Sequence, residues 1–128
     1  MLRADDFRRI GLGMDGAIER AHMGHPDFRV NGRIFATLHD DNRHGMVKLA
    51  PEQQQRFVRD HPGIFSPENG AWGRQGCTRV QLSAADEEVL GEAVTLAWQQ
   101  ATMLKKPRTT STRARKRPAK NPVVRKQR

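Results

Sequence analysis

Charge is distributed very unevenly along this 128-residue chain, and the imbalance limits which part of it can fold. Residues 105–128 contain eleven Lys or Arg and no Asp or Glu, whereas residues 1–104 contain twelve basic and fourteen acidic residues. Blocks of like charge repel one another and stay solvated. With only Val123 and Val124 as sizeable aliphatic residues, the terminal segment cannot bury enough surface to order itself. The sequence therefore predicts one folded domain over residues 1–104 and a disordered cationic arm over residues 105–128.

The length of the predicted domain restricts the classes of protein that it can represent. About 100 residues suit one hydrophobic core and are too few for two domains enclosing a substrate cleft. Cys77 is the only cysteine, so no intrachain disulfide forms, and the residue is interpreted as packed rather than nucleophilic. The first residues lack the apolar region of a signal peptide, and the longest apolar stretch, residues 93–98, is too short to span a membrane. We expect a cytoplasmic protein.

Hydrophobic periodicity predicts alternating helices and strands. Helices are expected where apolar residues recur three or four positions apart, and strands where they alternate or form short runs between turn residues. The predicted helices cover residues 4–12, 51–61 and 83–104. The predicted strands cover residues 18–23, 28–30, 33–38, 46–49, 64–65 and 77–82. We expect Gly24 and Pro26 to break the chain after the first strand.

The dipeptide Asn31-Gly32 gives the clearest local signal. Both residues accept the positive φ values of a type I′ turn, which suits twisted antiparallel strands. A two-residue loop pairs Val30 with Arg33 and Phe28 with Phe35, so the two phenylalanines should share one face of the hairpin. The opposite face should then carry Arg29, Ile34, Ala36 and Leu38.

The longest predicted helix follows a strand that alternates cleanly. Ser83 is expected to cap it, with acidic residues in the first turn against the positive end of the helix dipole. Its apolar positions follow helical spacing and predict a face that packs on the sheet: Leu90, Ala93, Val94, Ala97, Trp98 and Ala101. The fold class is therefore predicted as α+β, with an antiparallel sheet and helices in two layers.

Several blocks of the chain resemble the MmcQ/YjbR family, in order and spacing, over about residues 7–98. They are Gly24-His25-Pro26-Asp27-Phe28-Arg29-Val30, Asn31-Gly32-Arg33-Ile34-Phe35-Ala36-Thr37-Leu38, Met46-Val47-Lys48-Leu49, Pro51-Glu52-Gln53, Gly70-Ala71-Trp72-Gly73-Arg74-Gln75-Gly76 and Thr78-Arg79-Val80. The resemblance implies a small α+β domain likened to the CyaY fold and to a double-wing DNA-binding arrangement. It does not extend to the basic arm.

This resemblance implies that two hairpins act as wings on DNA. A β-ribbon fits a groove of the duplex, and arginine can bridge phosphates or a guanine edge. The wing residues would be Arg29 and Arg33 on the first hairpin and Arg74 and Gln75 on the second, with Lys48 and Arg79 extending the same surface. The alternative is that these are ordinary solubilising side chains.

The arm is predicted to contact phosphates without reading bases. Its extended length is at most about 80 Å, enough to follow a duplex around a docked domain. The candidate contacts are Arg113, Arg115, Lys116, Arg117, Lys120, Arg125, Lys126 and Arg128. The domain itself is slightly acidic, so it has no general field that would attract a polyanion.

Other site chemistries are less favoured by the sequence. His22, His25 and Asp27 are of metal-ligand types, but their spacing brings the imidazoles together only through a tight turn at Gly24. A structural role for His25 and Asp27 is the preferred interpretation. No Gly-rich phosphate motif, nucleophile elbow or Cys–His pairing is visible, so neither an enzyme nor a cofactor or metal is predicted.

The two tryptophans, Trp72 and Trp98, are interpreted most simply as core or hinge anchors. Trp72 lies beside glycines, and its alternative role is stacking on a base.

The hypothesis from sequence is a non-enzymatic DNA-binding protein with double-stranded DNA as its main partner. One alternative is an RNA- or ribosome-associated protein, because a cationic arm does not distinguish polyanions. Another is a small-molecule or protein-interaction domain whose arm is incidental. A membrane surface is disfavoured, because the arm has no apolar face to insert.

Overall fold

One antiparallel sheet of six strands organises the chain in the computed structural model, which describes residues 2–103. The predicted α+β fold class is confirmed, with helices packed on the sheet. The cationic arm, with its predicted disorder and its eight candidate contacts, lies outside the described residues.

The elements follow the chain in the predicted order, with one short helix added. The strands are β1 (Ile18–His22), β2 (His25–Val30), β3 (Arg33–Leu38), β4 (His44–Lys48), β5 (Phe65–Pro67) and β6 (Cys77–Gln81). The helices are α1 (Ala4–Leu12), α2 (Pro51–Asp60), α3 (Gly70–Arg74) and α4 (Glu87–Met103). The strand order across the sheet is β1-β2-β3-β4-β6-β5.

Helices α1 and α4 pack against the central strands on one face of the sheet, and the hydrophobic core lies between them. Aromatic rings fill much of this core, with Phe7 of α1 contacting Phe28 of β2 edge to face. Helix α2 closes the far end of the same layer, where the Phe57 ring lies 5.0 Å from that of Phe65. The fully buried large side chains are Phe7, Phe28, Phe35, Phe65, Leu38, Leu49, Leu82, Leu90, Val47, Val80 and Val94.

The predicted register of the central hairpin is correct for the two pairs next to its turn and wrong at the third. Val30 pairs with Arg33 as expected, but Phe28 pairs with Ala36 rather than Phe35 because the register shifts at a β-bulge. A bulge places two residues of one strand opposite one residue of its partner. Both Phe35 and Ala36 therefore enter the core, and Leu38 follows Ala36 onto that face. Only Ile34 stays with Arg29 on the opposite face.

The chain does not break after β1, contrary to prediction. Met23 and Gly24 form a tight turn with φ values of 51° and 81°, which joins β1 and β2 into a hairpin. Pro26 lies within β2 and pairs with Ala21 of the edge strand. The register between β2 and β3 begins one residue later, at Asp27, so the missing N–H of Pro26 removes no bond from the pairing with β3.

Helix α4 begins later than the capping pattern predicted. Residues 82–84 form a 3-10 turn, so Ser83 is not the cap. Asp86 takes this role, because its Oδ1 accepts the backbone N–H of Val89 at 2.8 Å. The alanine, leucine and valine residues of the predicted α4 face are buried, as expected. Trp98 is partly exposed, and it donates its indole N–H to the carbonyl of Asp15 at 2.8 Å.

The described helices include none that is both long enough and apolar enough to cross a membrane.

Close packing at one glycine of β4 gives a test of the core. A Cβ atom at Gly45 would lie 2.5 Å from Cε1 of the fully buried Phe7 ring. We expect Gly45→Ala to lower the free energy of unfolding by about 2 kcal/mol, because the ring has to shift within a packed core. Urea unfolding followed by circular dichroism measures the change. Gly63→Ala is the matched control, since nothing lies within 4 Å of its added Cβ, and equal effects of both changes would contradict the packing described.

Candidate functional site

The face of the sheet opposite α1 and α4 carries polar and charged residues in register across all six strands. One cross-strand row consists of Arg20, Asp27, Thr37, Met46, Arg79 and Ser66. We call this side the open face. Residues directly opposite in antiparallel strands share a face, so the row marks a continuous surface from β1 to β5.

A groove of about 390 Å³ lies on the open face between the central strands and α3. Its lining is more apolar than the rest of this face and includes one large aromatic side chain. The lining residues are His22, Ile34, Thr37, His39, Met46, Lys48, Glu68, Asn69, Trp72 and Cys77. The volume falls within the range typical of sites for small organic groups.

Trp72 stands beside the groove with 65% of its surface exposed. The prediction that this residue is a core anchor is therefore wrong, while a role as a hinge anchor stays a prediction. Trp98 has an anchoring hydrogen bond to Asp15. Much of the flat aromatic surface of Trp72 contacts no other described part of the protein.

Helix α3, which carries Trp72, is held by close backbone contacts. A Cβ atom at Gly73 would collide with the carbonyl oxygen of Glu68, and one at Gly76 would collide with that of Leu49. Gly76 also has a φ of 109°, which side-chain-bearing residues rarely adopt. Because these two glycines have no side chains, α3 lies close to the sheet, and Trp72 is held at the edge of the groove.

A buried glutamine fixes the same segment from the other side. The Gln54 amide on α2 donates to the carbonyls of Gly73 at 2.9 Å and Cys77 at 3.0 Å. Both ends of the loop between α3 and β6 are thus attached to one side chain, which is itself buried. Trp72 is consequently carried on a rigid support rather than on a free loop.

The second hairpin that the resemblance implied has a different form from a wing with a tight tip. Strands β5 and β6 do pair, but the connection between them contains α3. Arg74 is in the last turn of that helix and Gln75 is its C-terminal cap, and both are exposed. These two predicted contacts therefore flank Trp72 rather than a β-turn.

Asp27 is fully buried and organises the groups between β1 and β2. Its Oδ1 accepts Arg29 Nε at 2.7 Å, and its Oδ2 bonds Arg29 Nη2 at 3.1 Å and His22 Nδ1 at 2.7 Å. The hydrogen bonds from Arg29 hold the pKa of Asp27 below its ordinary value, burial opposes them, and His22 adds to the lowering. The predicted structural role of Asp27 agrees with these contacts, and the predicted DNA contact Arg29 is already bound to a carboxylate.

Glu68, which also lines the groove, likewise holds a histidine and an arginine in place. It bonds His39 Nε2 at 2.8 Å and Arg79 Nη2 at 3.3 Å. Arg79, another predicted DNA contact, thus also has a carboxylate partner on the open face.

Lys48 differs from these arginines, because no carboxylate within the described part of the chain pairs with it. It also lines a small pocket of about 40 Å³ formed with Arg33, Ile34 and the end of α4 at Gln100 and Ala101. Lys48 is therefore the cation closest to both the groove and the last turns of α4. Arg33, the remaining predicted contact on the domain, lies at that junction and not in the groove.

The only cysteine of the chain, Cys77, lines the groove but is buried. Burial raises the pKa of its thiol, against an opposing effect of Lys48. The group is therefore protonated near neutral pH and is a weak nucleophile, as expected for a packed cysteine.

His22 and His25 face each other across the β1–β2 turn, with ring centroids 6.1 Å apart. Over residues 2–103, no cluster of three or more His, Cys, Asp or Glu is arranged to hold a metal ion.

A larger cleft, of about 880 Å³, lies between the start of α1 and the β3–β4 loop. Of the three arginines that line it, Arg8 is bonded to Asp5 and Glu19 at 3.0 Å each. The cleft contains no tryptophan or phenylalanine, and its one ring, that of His44, is bonded to Asp41. The groove is the stronger candidate site because it combines a largely exposed tryptophan with a lysine that has no carboxylate partner among the described residues.

The buried Asp27 cluster gives a prediction about stability. We expect Asp27→Asn to lower the free energy of unfolding by about 2–3 kcal/mol at neutral pH, because Arg29 and His22 lose a charged partner. Since folding lowers the pKa of Asp27, its contribution exists above the unfolded pKa and is lost as pH falls through the folded one. The difference between wild type and variant should therefore shrink in acid.

Urea unfolding at a series of pH values measures this difference. Asp60→Asn is the matched control, since Asp60 pairs with Arg59 on the exposed surface and should contribute little. A pH-independent difference for Asp27→Asn would contradict the assignment of the charge.

Comparison with known proteins places this fold in a family. The family model described as YjbR matches residues 12–100. The crystal structure of Deinococcus radiodurans protein DR2400, described with a DUF419 family domain, has a TM-score of 0.68 at 20% identity over 80% of each chain. That likeness concerns the fold alone. No curated protein matches the chain. Because the family model covers well over half of the sequence, and the fold agrees with the earlier resemblance, this chain belongs to the YjbR family.

Proposed function

We propose that this protein is a non-enzymatic, cytoplasmic nucleic-acid-binding protein, with DNA as its main partner. The domain contributes a contact surface on its open face around the groove. The cationic arm contributes most of the attraction to phosphates.

The observation that carries the proposal is the position of Lys48. This unpaired cation lines the groove and also the small pocket against Gln100 and Ala101. Helix α4 ends at Met103, only a few residues further along the chain. The last described turns of α4 therefore lie beside Lys48, and the cationic segment follows them in the sequence.

The different charges of the domain and the arm favour separate roles for them in binding. Residues 105–128 carry eleven cationic side chains with no acidic ones, while residues 1–104 have two more acidic than basic residues. A nearly neutral domain does not gather a polyanion from a distance, whereas a cationic arm does so through counterion release. Affinity should come largely from the arm, and position from the domain.

The geometry supports a smaller set of domain contacts than the hairpin-wing arrangement. Arg29 and Arg79 are bound to Asp27 and Glu68, so their charges are largely compensated within the fold. Lys48, Arg74 and the polar Gln75 are better placed to meet a ligand, because Lys48 lines the groove and the other two are exposed next to Trp72.

The chemistry of the groove supports the non-enzymatic part of the proposal. Its histidines His22 and His39 are hydrogen-bonded to carboxylates, and Cys77 is held as a neutral thiol. A carboxylate also orients the histidine of a catalytic triad, so the support comes from the nucleophile. Among the residues that line the groove the one thiol is buried and protonated, and neither histidine is hydrogen-bonded to a hydroxyl or thiol.

The volume and apolar floor of the groove favour a second candidate, a domain that binds a small molecule while the arm plays no part. This second function would be established if the full-length protein bound a metabolite and bound neither DNA nor RNA.

The arm model predicts a strong salt dependence that belongs to residues 105–128. If about six charges neutralise phosphates, the slope of log affinity against log salt should be near −5 for duplex DNA. We expect a full-length variant with all eleven arm cations changed to glutamine to lose about 5 from the size of this slope. The changed residues are Lys105, Lys106, Arg108, Arg113, Arg115, Lys116, Arg117, Lys120, Arg125, Lys126 and Arg128.

Fluorescence anisotropy with a labelled duplex over a range of salt concentrations measures the slope. Replacement of Thr109, Thr110, Ser111 and Thr112 by alanine is the control, because it alters the arm without changing its charge. An unchanged slope in the glutamine variant would refute the arm model. Tighter binding of structured RNA than of DNA at the same salt would make RNA the partner.

A further inference from the structure

We infer that the groove binds one unpaired nucleobase, stacked on Trp72, with the neighbouring phosphate on Lys48. The protein would accordingly prefer single-stranded or locally opened DNA to a fully paired duplex. This inference rests on the proposed function and adds the class of nucleic acid that the open face selects.

The shape of the groove suits a single base rather than a double helix. Its volume is about 390 Å³ and its floor is formed by Ile34, Thr37 and Met46 of the central strands. A flat ring can lie over such a floor with its edges exposed. A duplex offers only base edges and backbone, because the faces of its bases are covered by their neighbours in the stack.

Trp72 supplies the stacking surface and is prepared for it in advance. The side chain is 65% exposed, so contact with a base would remove apolar surface from water. Helix α3 is held by the amide of Gln54 and by the close approach of Gly73 to Glu68. Little backbone ordering is therefore needed on binding, which favours affinity.

The polar side chains around the groove are arranged for a nucleotide and not for a neutral apolar ligand. Lys48 provides a positive charge at one side with no carboxylate partner in the described structure. Both carboxylate oxygens of Glu68 are already bonded within the fold, to His39 and Arg79. The neighbouring Asn69 also lines the groove, and its amide would supply a hydrogen-bonding group for the edge of a bound ring. A base needs such edge partners, and a phosphate needs such a cation.

The end of α4 lies on the Lys48 side of the groove, because Lys48, Gln100 and Ala101 line one small pocket. A strand whose base lies on Trp72 would leave the groove past Lys48, toward these last turns of α4.

The test compares three labelled ligands with the full-length protein at one fixed salt concentration. They are a single-stranded DNA of about twelve nucleotides, a strand of the same length without bases, and the corresponding duplex. The abasic strand keeps the phosphates and removes the rings, so it isolates the stacking contribution. We expect the base-containing strand to bind at least about tenfold more tightly than the abasic one.

Trp72→Ala should lower affinity for the base-containing strand about tenfold or more and leave the abasic strand unaffected. Trp72→Phe should retain part of the difference, since it keeps an aromatic face. Met23→Ala is the control, because Met23 is an exposed apolar residue outside the groove. Circular dichroism verifies that each variant is folded.

Lys48→Gln should behave differently from the tryptophan variants. It should weaken binding of the base-containing and abasic strands by the same factor and reduce the size of the salt slope by about 1. The pair of variants thus separates contact with a base from contact with a phosphate.

The outcomes distinguish this inference from the proposed function. Equal affinity for abasic and base-containing strands, no effect of Trp72→Ala, or tighter binding of the duplex would each overturn the groove inference and leave nucleic-acid binding standing. Failure of all three ligands to bind would overturn both.

Discussion

A single extra residue in β3 determines which side chains reach the core and which reach the groove. Strict alternation from the Asn31-Gly32 turn would put Phe35 inside and both Ala36 and Leu38 outside. The bulge instead sends Phe35 and Ala36 into the core together. The alternation restarts after it, so that Thr37 lies with Ile34 on the open face. The β-bulge thus affects both faces of the sheet: it adds Ala36 to the core beneath α4 and places Thr37 in the floor of the groove.

The remainder of the candidate site depends on how α3 is mounted beside that floor. Gln54 links α2 to both ends of the α3–β6 connection, and glycines remove the side chains that would keep α3 away from the sheet. This support holds the exposed ring of Trp72 beside a groove that Lys48 also lines, while Arg29 and Arg79 on the same face are engaged with carboxylates. That selection of groups is characteristic of recognition by stacking and charge.

Local signals in the sequence predicted much of the fold, because they act over a few residues. The Asn31-Gly32 turn, the alternation of β6 and the apolar stripe of α4 depend on short-range geometry, and all were correct. Helix α3 depends on a hydrogen bond from the distant residue Gln54, and the bulge sends both Phe35 and Ala36 into a core that distant elements complete. Ile34 lies on its predicted face, whereas Thr37 and Met46 were not predicted as groove residues. The bulge decides the face of Thr37, and the alternation of Met46 with the core residue Val47 in β4 was the available signal.

The outermost strand β1 illustrates a further property of the fold, its resistance to joining with other chains. All of its residues are exposed, and an unpaired strand edge is a template on which another sheet can grow. Here the edge carries Glu19, Arg20 and His22, and His22 is bound to the buried carboxylate of Asp27. A strand from another chain that paired with β1 would lie close to these polar and charged side chains, which disfavours the pairing. The open face can therefore stay uncovered, as the proposed ligand requires, without the β1 edge promoting aggregation.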